Sequence, residues 1–435
     1  MTRRRVLIAA TVAVLAATVA LLGGALHSSR AGASALVAKA SSFAAPLPSA
    51  DTAGLVRELQ VTLRAHPRDT HSFALLGLAY EQRARETGDP AYYSKADGVL
   101  HRALELSPND LVATGGLGSL ALSRHRFREA LSIGLRARAL SPSTASTYGL
   151  IGDAELELGR YRAAFRSFDR LATLRPGLTA YARVSYAREL LGRTRPAVQA
   201  MKLAVDAATN EPEPTAWAHV QLGKLYWSVG KIGAAATEYR AALVAFPGYV
   251  YAYDALAQVE AARGRLRAAI ALEQRAVETI PLPQFVISLG DLYRLSGREG
   301  AARRQYALVG VIQRLLVANG VKTDLETALF EADHAIRLPR ALALARLAHR
   351  ERLSIDGDDV LGWALARNAR CGEALGYSQR ALRLGTHDAL KFFHRGMIER
   401  CLGHRAAALF WLGRALRLNP HFSLLWVPVA RRLVA

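Results

Sequence analysis

The chain has 435 residues, 51% apolar and 7% aromatic, and its 57 Lys and Arg against 36 Asp and Glu give a formal charge of +21. The basic residues are mostly Arg scattered singly beside Ala and Leu, without the stacking aromatics of a nucleic-acid module. They read as solvated helix faces whose long stems cover apolar surface, with an anionic partner or lipid surface as the alternative.

Residues 1–5 hold the one basic run, Arg3-Arg4-Arg5, and residues 6–26 are uncharged and apolar. At 1.5 Å per residue such a stretch spans roughly 30 Å, about one hydrocarbon core. It reads as a transmembrane anchor or as the apolar core of an export signal, with small-residue cleavage candidates at Ala33 and Ala40. A buried helix of a cytosolic protein is the remaining alternative. In both export readings the Arg run stays cytoplasmic and the remainder lies outside. Residues 27–50, rich in Ser, Ala and Gly with Pro46 and Pro48, read as a flexible tether.

From there the strongest signal is internal periodicity. Pro108, Pro142 and Pro176 are 34 residues apart, as are Pro247 and Pro281. Each follows an amphipathic stretch, where proline ends one helix and sets the turn to the next. A small residue precedes a proline by 24 positions at Gly118, Gly152, Gly223, Ala257 and Gly396, and an alanine follows it by 12 at Ala130, Ala164, Ala235, Ala269 and Ala408. Small residues on consecutive helices permit close crossings, and Gly159, Gly192, Gly230, Gly264, Gly297 and Gly403 mark the turns between them. The expected organisation is regular repeats over 52–310, degenerate ones over 311–356 where the proline is missing, and regular ones again over 357–420. A capping helix over 421–435 ends the chain. Seven extra residues near Thr87–Pro90 should lengthen the first inter-helix turn.

This pattern resembles the tetratricopeptide repeat family. Gly223-Lys224-Leu225-Tyr226 matches its first-helix motif, and Phe168, Tyr239 and Tyr306 match the aromatic of its second helix. The resemblance implies an all-α, right-handed solenoid of about ten helix-turn-helix repeats, whose first helices line a concave groove that receives a peptide or protein segment. Carried onto this chain, the groove positions are Asp153, Glu157, Tyr186, Glu189, Trp217, Lys224, Trp227, Tyr251, Asp254, Gln258, Asp291 and Arg294. Aromatic anchors ringed by polar groups suit an interface, and packing between repeats is the alternative for both tryptophans. Asp153, Glu189 and Asp254 make the middle of the groove more acidic than its edges, which points to a basic or amide-rich partner segment.

No phosphate loop, HExxH, GxSxG or GxGxxG signature occurs, so no catalytic residue, cofactor or metal is expected. The leading expectation is a non-catalytic, membrane-tethered, extracytoplasmic scaffold or adaptor. The alternatives are a carrier or assembly chaperone for an exported metalloprotein, touching metal through the His-rich last repeats, or a module recruited to anionic lipid. His387 and His394 share a helical face, but a metal site needs further convergent ligands. Cys371 and Cys401, on one edge of adjacent repeats, are a candidate disulfide; no CxxC pair accompanies them. Nothing in the sequence sets an oligomeric state.

Overall fold

The computed structural model describes residues 51–208 and 211–435; the basic run, the 6–26 stretch and the 27–50 tether lie outside them. Among the described residues there are 22 helices and no strand. None of these helices is long and apolar enough to cross a membrane. Helix α1 (Thr52–Ala65) leads into repeats one to three, which are α2 (Thr70–Thr87) with α3 (Ala91–Leu106), α4 (Leu111–Ser123) with α5 (Phe127–Leu140), and α6 (Ala145–Glu157) with α7 (Tyr161–Leu174). Repeats four to six are α8 (Leu178–Leu190) with α9 (Thr194–Asp206), α10 (Pro212–Ser228) with α11 (Ile232–Ala245), and α12 (Val250–Ala262) with α13 (Leu266–Thr279). Repeats seven and eight are α14 (Pro283–Leu295) with α15 (Glu299–Ala318) and α16 (Asp324–Asp333) with α17 (Leu338–Glu351). Repeats nine and ten are α18 (Ile355–Arg367) with α19 (Cys371–Ala381) and α20 (Ala389–Cys401) with α21 (Arg405–Leu418), and α22 (Trp426–Val434) caps the array.

The local chemistry explains the pairs. Asp69, Asp110 and Ser354 accept hydrogen bonds from the first-turn N–H groups of α2, α4 and α18, satisfying donors that a helix start leaves free. Within each pair the turn passes through a left-handed residue, glycine in seven repeats, His125 and Ala369 in two others, and both Ala335 and Arg337 in repeat eight. The crossings depend on the small residues. A methyl on Gly152 would overlap the Phe168 ring, one on Gly223 the Tyr239 ring, and one on Gly290 the Tyr306 ring. Ala130, Ala164, Ala235 and Ala269 are fully buried on the facing helices. Gly152→Leu should therefore destabilise by about 1–3 kcal/mol or more through overpacking; an unchanged thermal melt would refute this close crossing.

One expectation needs correction. The seven extra residues of repeat one do not lengthen its turn, which is Gly88–Pro90 in place of the three residues 124–126 of repeat two. They extend the helices instead: α2 has 18 residues where α4 has 13, and α3 has 16 where α5 has 14. Good helix formers such as Gln82, Arg83 and Glu86 continue the helix, and the left-handed Gly88 ends it. In the proline-poor segment α15 runs to 20 residues and α16 to only 10.

The solenoid winds tightly enough to touch itself. The turn inside each of the first five repeats meets the junction that follows the repeat five places further on. Gly88 abuts Ile280 and Leu282. The Lys322 N–H donates to the Arg124 carbonyl (3.0 Å) and Arg126 Nε to that of Gly320 (3.2 Å). Gly159 lies against the Leu353 carbonyl, and the Ile355 N–H donates to the Tyr161 hydroxyl (2.6 Å). Gly192 lies against the Gly385 carbonyl, and the Thr386 hydroxyl donates to the Leu190 carbonyl (2.5 Å). Gly230 abuts Pro420, and Asn419 Nδ2 donates to the Trp227 carbonyl (2.9 Å). Successive superhelical turns thus stack into a tube, with a seam of polar contacts between them and one apolar patch where Ile355 joins Leu156, Tyr161 and Leu190. Gly264, Gly297 and Gly403, in turns beyond the fifth repeat, have open space beside them.

Candidate functional site

The first helix of each pair faces the interior of this tube, and contacts cross it. Gln82 of α2 donates to Glu213 of α10 (3.1 Å), four repeats away. At the far end the Trp363 and Trp426 indoles both donate to Asp333 Oδ1 (2.8 and 3.0 Å), and Trp426 stacks on Phe393 with ring centroids 5.3 Å apart. The expected groove residues therefore line a narrow interior rather than an open trough.

Several are already engaged within the chain. Asp153 pairs with both ends of the Arg183 guanidinium (2.9 and 2.6 Å). Glu157 belongs to the seam: Arg352, one superhelical turn later, grips it through two hydrogen bonds (2.6 and 3.3 Å). Asp291 is buried, and its Oδ1 accepts from the Tyr306 hydroxyl (2.7 Å) and meets His334 Nε2 (2.8 Å). These three do not present free carboxylates to a partner, because a carboxylate held this close to the core requires a donor. Trp227 is half-buried, packed on the cluster around Tyr239 and Val259, with the His421 ring 6.5 Å away. Tyr251 packs edge-on against Phe285 at 5.5 Å.

Of the remaining positions, Tyr186, Glu189, Lys224 and Asp254 are near enough to interact electrostatically in part. Tyr186 and Trp217 are each 37% exposed, uncommon for rings of that size. Lys224 is exposed, and no cation stands within salt-bridge distance of Glu189 among the described residues. Burial, then the neighbouring Asp388 and Asp356 carboxylates, pushes Glu189 up to about 7, with Lys391 and Lys224 opposing. Burial likewise raises Asp254 to about 6, again against Lys224, while Gln258 donates to it (3.3 Å). Arg294 is exposed at the rim.

Sequence reasoning missed Asp356, Asp388 and Lys391. The buried Lys391 ammonium sits 2.7 Å from both carboxylates, which hold its pKa well above the usual lysine range against the effect of burial. Asp388 carries a local signal as the N-cap of α20, but its neighbours in α8 lie one superhelical turn away, where no sequence spacing points.

The late histidines are directed at carboxylates. His394 is buried with Nδ1 3.0 Å from Asp359, and His349 Nε2 is 2.9 Å from Asp358, while His387 is exposed and apart. Among the described residues no group of three or more His, Cys, Asp or Glu side chains is placed to hold a metal. Cys371, opening α19, and Cys401, closing α20, form a disulfide with Cα atoms 6.1 Å apart.

Stacked antiparallel helix pairs with glycine–ring crossings and an inward-facing first helix define a tetratricopeptide-repeat solenoid. No family model matches the chain. It is 30% identical over 344 residues to cellulose synthase operon protein C of Xanthomonas axonopodis pv. citri (strain 306), an alignment that covers 76% of this chain and 20% of that much longer relative. Solved structures similar to parts of it include the tetratricopeptide-repeat protein TTC0263 of Thermus thermophilus (21% identity, 45% of this chain and 98% of that one, TM-score 0.39). A tetratricopeptide-repeat protein of Parabacteroides merdae (16%, 55% and 98%, 0.39) and the type IV pilus biogenesis factor PilW (16%, 46% and 92%, 0.39) are others.

Proposed function

We propose that this chain is a non-catalytic scaffold or adaptor that binds a peptide or protein segment along the inner face of its solenoid. We further propose that its N-terminus holds it at a membrane with the repeats on the extracytoplasmic side. The observation that carries the binding reading is the group Tyr186, Glu189, Trp217 and Lys224 on consecutive first helices. It pairs two large exposed rings with charged groups that the chain does not itself neutralise by contact. Rings of this kind, at the centre of a concave polar surface, are the usual anchors of a protein interface. The membrane reading rests on Arg3, Arg4, Arg5 and the apolar run behind them. A metalloprotein carrier is the weaker reading, since His349 and His394 are committed to carboxylates.

The test is crosslinking in native membranes, comparing wild type with a Trp217→Ala/Glu189→Gln variant of equal melting temperature. A specific partner captured by wild type and lost from the variant supports the inner face as the binding surface. Equal capture by both would move the interaction elsewhere on the solenoid.

A further inference from the structure

The seam and the interior together say more than either alone. Side chains that a partner would need, Glu189 and Lys224 among them, face a space whose wall is closed where repeats one to five meet the following superhelical turn. The closure is slight in chemistry. It consists mainly of single hydrogen bonds to backbone, the Arg352–Glu157 pair and glycines that approach carbonyls, with one apolar patch where Ile355 and Leu384 meet Leu156, Tyr161 and Leu190. Contacts between adjacent repeats, by contrast, are continuous apolar clusters such as that of Tyr239, Ala252 and Val259. Neighbour packing survives if the seam parts, because each repeat draws its stability mainly from the ones beside it.

The interior is short of positive charge in a chain that is otherwise strongly basic. Lys391 already serves Asp356 and Asp388, Arg183 serves Asp153, and Arg352 serves Glu157. Glu189 has Lys391 and Lys224 near it and Asp254 has Lys224, but none of these cations stands in salt-bridge contact with either acid. A cationic segment laid along the first helices would relieve this, and an extended one fits a narrow interior where a folded domain does not. Beyond the seam, α12 and α14 face the C-terminal segment across a cavity of about 480 Å³ lined by Gln258, Ser288, His421 and Arg431. Its Arg431 makes it a poor mouth for a cation.

We propose that the tube parts along its seam to admit an extended, lysine- or arginine-bearing segment and closes around it, enclosing the segment rather than cradling it. This rests on the inner face being the binding surface.

The experiment uses the full chain with spin labels at Arg193→Cys and His387→Cys, exposed positions flanking the Gly192–Gly385 contact, the native cysteines being bridged. Distances are compared in this background, in Glu157→Gln and in Tyr161→Phe, which removes only the hydroxyl that accepts from Ile355. The probe is a short extended peptide of alternating lysine and serine. A second, longer distance population should grow in both variants, and peptide association should become about threefold to tenfold faster as the competent fraction rises. A single short distance throughout, with peptide binding at an unchanged rate, would overturn the gate and leave the binding surface standing. Lengthened distances with no peptide bound would overturn the enclosed cationic segment.

Discussion

Loss of the Cys371–Cys401 bridge, by reduction or by a Cys371→Ala/Cys401→Ala change, is expected to destabilise the last two repeats by about 3–4 kcal/mol. The bridge joins positions 30 residues apart and so restricts the unfolded chain over a loop of that length. It ties the start of α19 to the end of α20, elements that otherwise meet through cores such as Ala374 with Ile398. The effect should also cross the seam, since the junction between these helices carries the Thr386 hydrogen bond to Leu190. Hydrogen exchange with and without reductant reads both. Faster exchange is expected in α19 to α21, with a smaller rise in the turn between α8 and α9. Identical exchange in the two states would show that the bridge adds nothing to these repeats.

Glu273 sets the second large expectation. It occupies the second-helix position held by Phe168, Tyr239 and Tyr306 elsewhere, and it is fully buried. Its partner across the crossing is Ala257, where those rings face Gly152, Gly223 and Gly290. The extra methyl leaves no room for a ring, and a carboxyl takes the space beside Asp254 and Ser288. Burial, then the Asp254 carboxylate, pushes Glu273 up to about 9. The two buried acids repel each other's charge, so their titration belongs to the pair. The folded state therefore holds protons that the unfolded chain has released, and stability falls as pH rises from the ordinary glutamate range towards about 9. Glu273→Gln should flatten this dependence, gaining on the order of 1–3 kcal/mol at the alkaline end and little at pH 4. Melting curves across that window decide it; parallel curves for wild type and variant would show that the pair does not titrate there. Tyrosine at 273 should be tolerated only together with Ala257→Gly.

The repeat was legible because its determinants are local. Prolines ending helices, small residues at crossings and the turn glycines recur at fixed spacing, and ten pairs follow from them. Where those residues change, legibility fell. His125, Ala335 and Ala369 adopt the turn conformation without glycine, so the turns of repeats two, eight and nine carried no mark. The extra residues of repeat one looked like a loop because Gly88 and Pro90 flank their end, yet helix propensity placed them in α2 and α3. The site was read less fully. Tyr186, Glu189, Trp217 and Lys224 follow from repeat position alone, but Asp291 is consumed by Tyr306 of its own repeat and His334 of the next, and Glu157 by Arg352, whose approach depends on how tightly the solenoid winds. That winding is the sum of small rotations between repeats, and no single residue states it.

A solenoid that touches only its neighbours tolerates gain or loss of a unit anywhere along its length. Here the Tyr161 hydroxyl awaits the Ile355 amide and the Leu190 carbonyl awaits Thr386, each across an identical count of repeats. Duplicating one unit between those partners would misalign the contacts spanning it together, as a slipped thread misaligns a screw. The copy number between the two windings is therefore under a constraint that repeat arrays ordinarily escape, and an intermediate with one unit more or fewer should lose the tube while keeping every pair of helices folded.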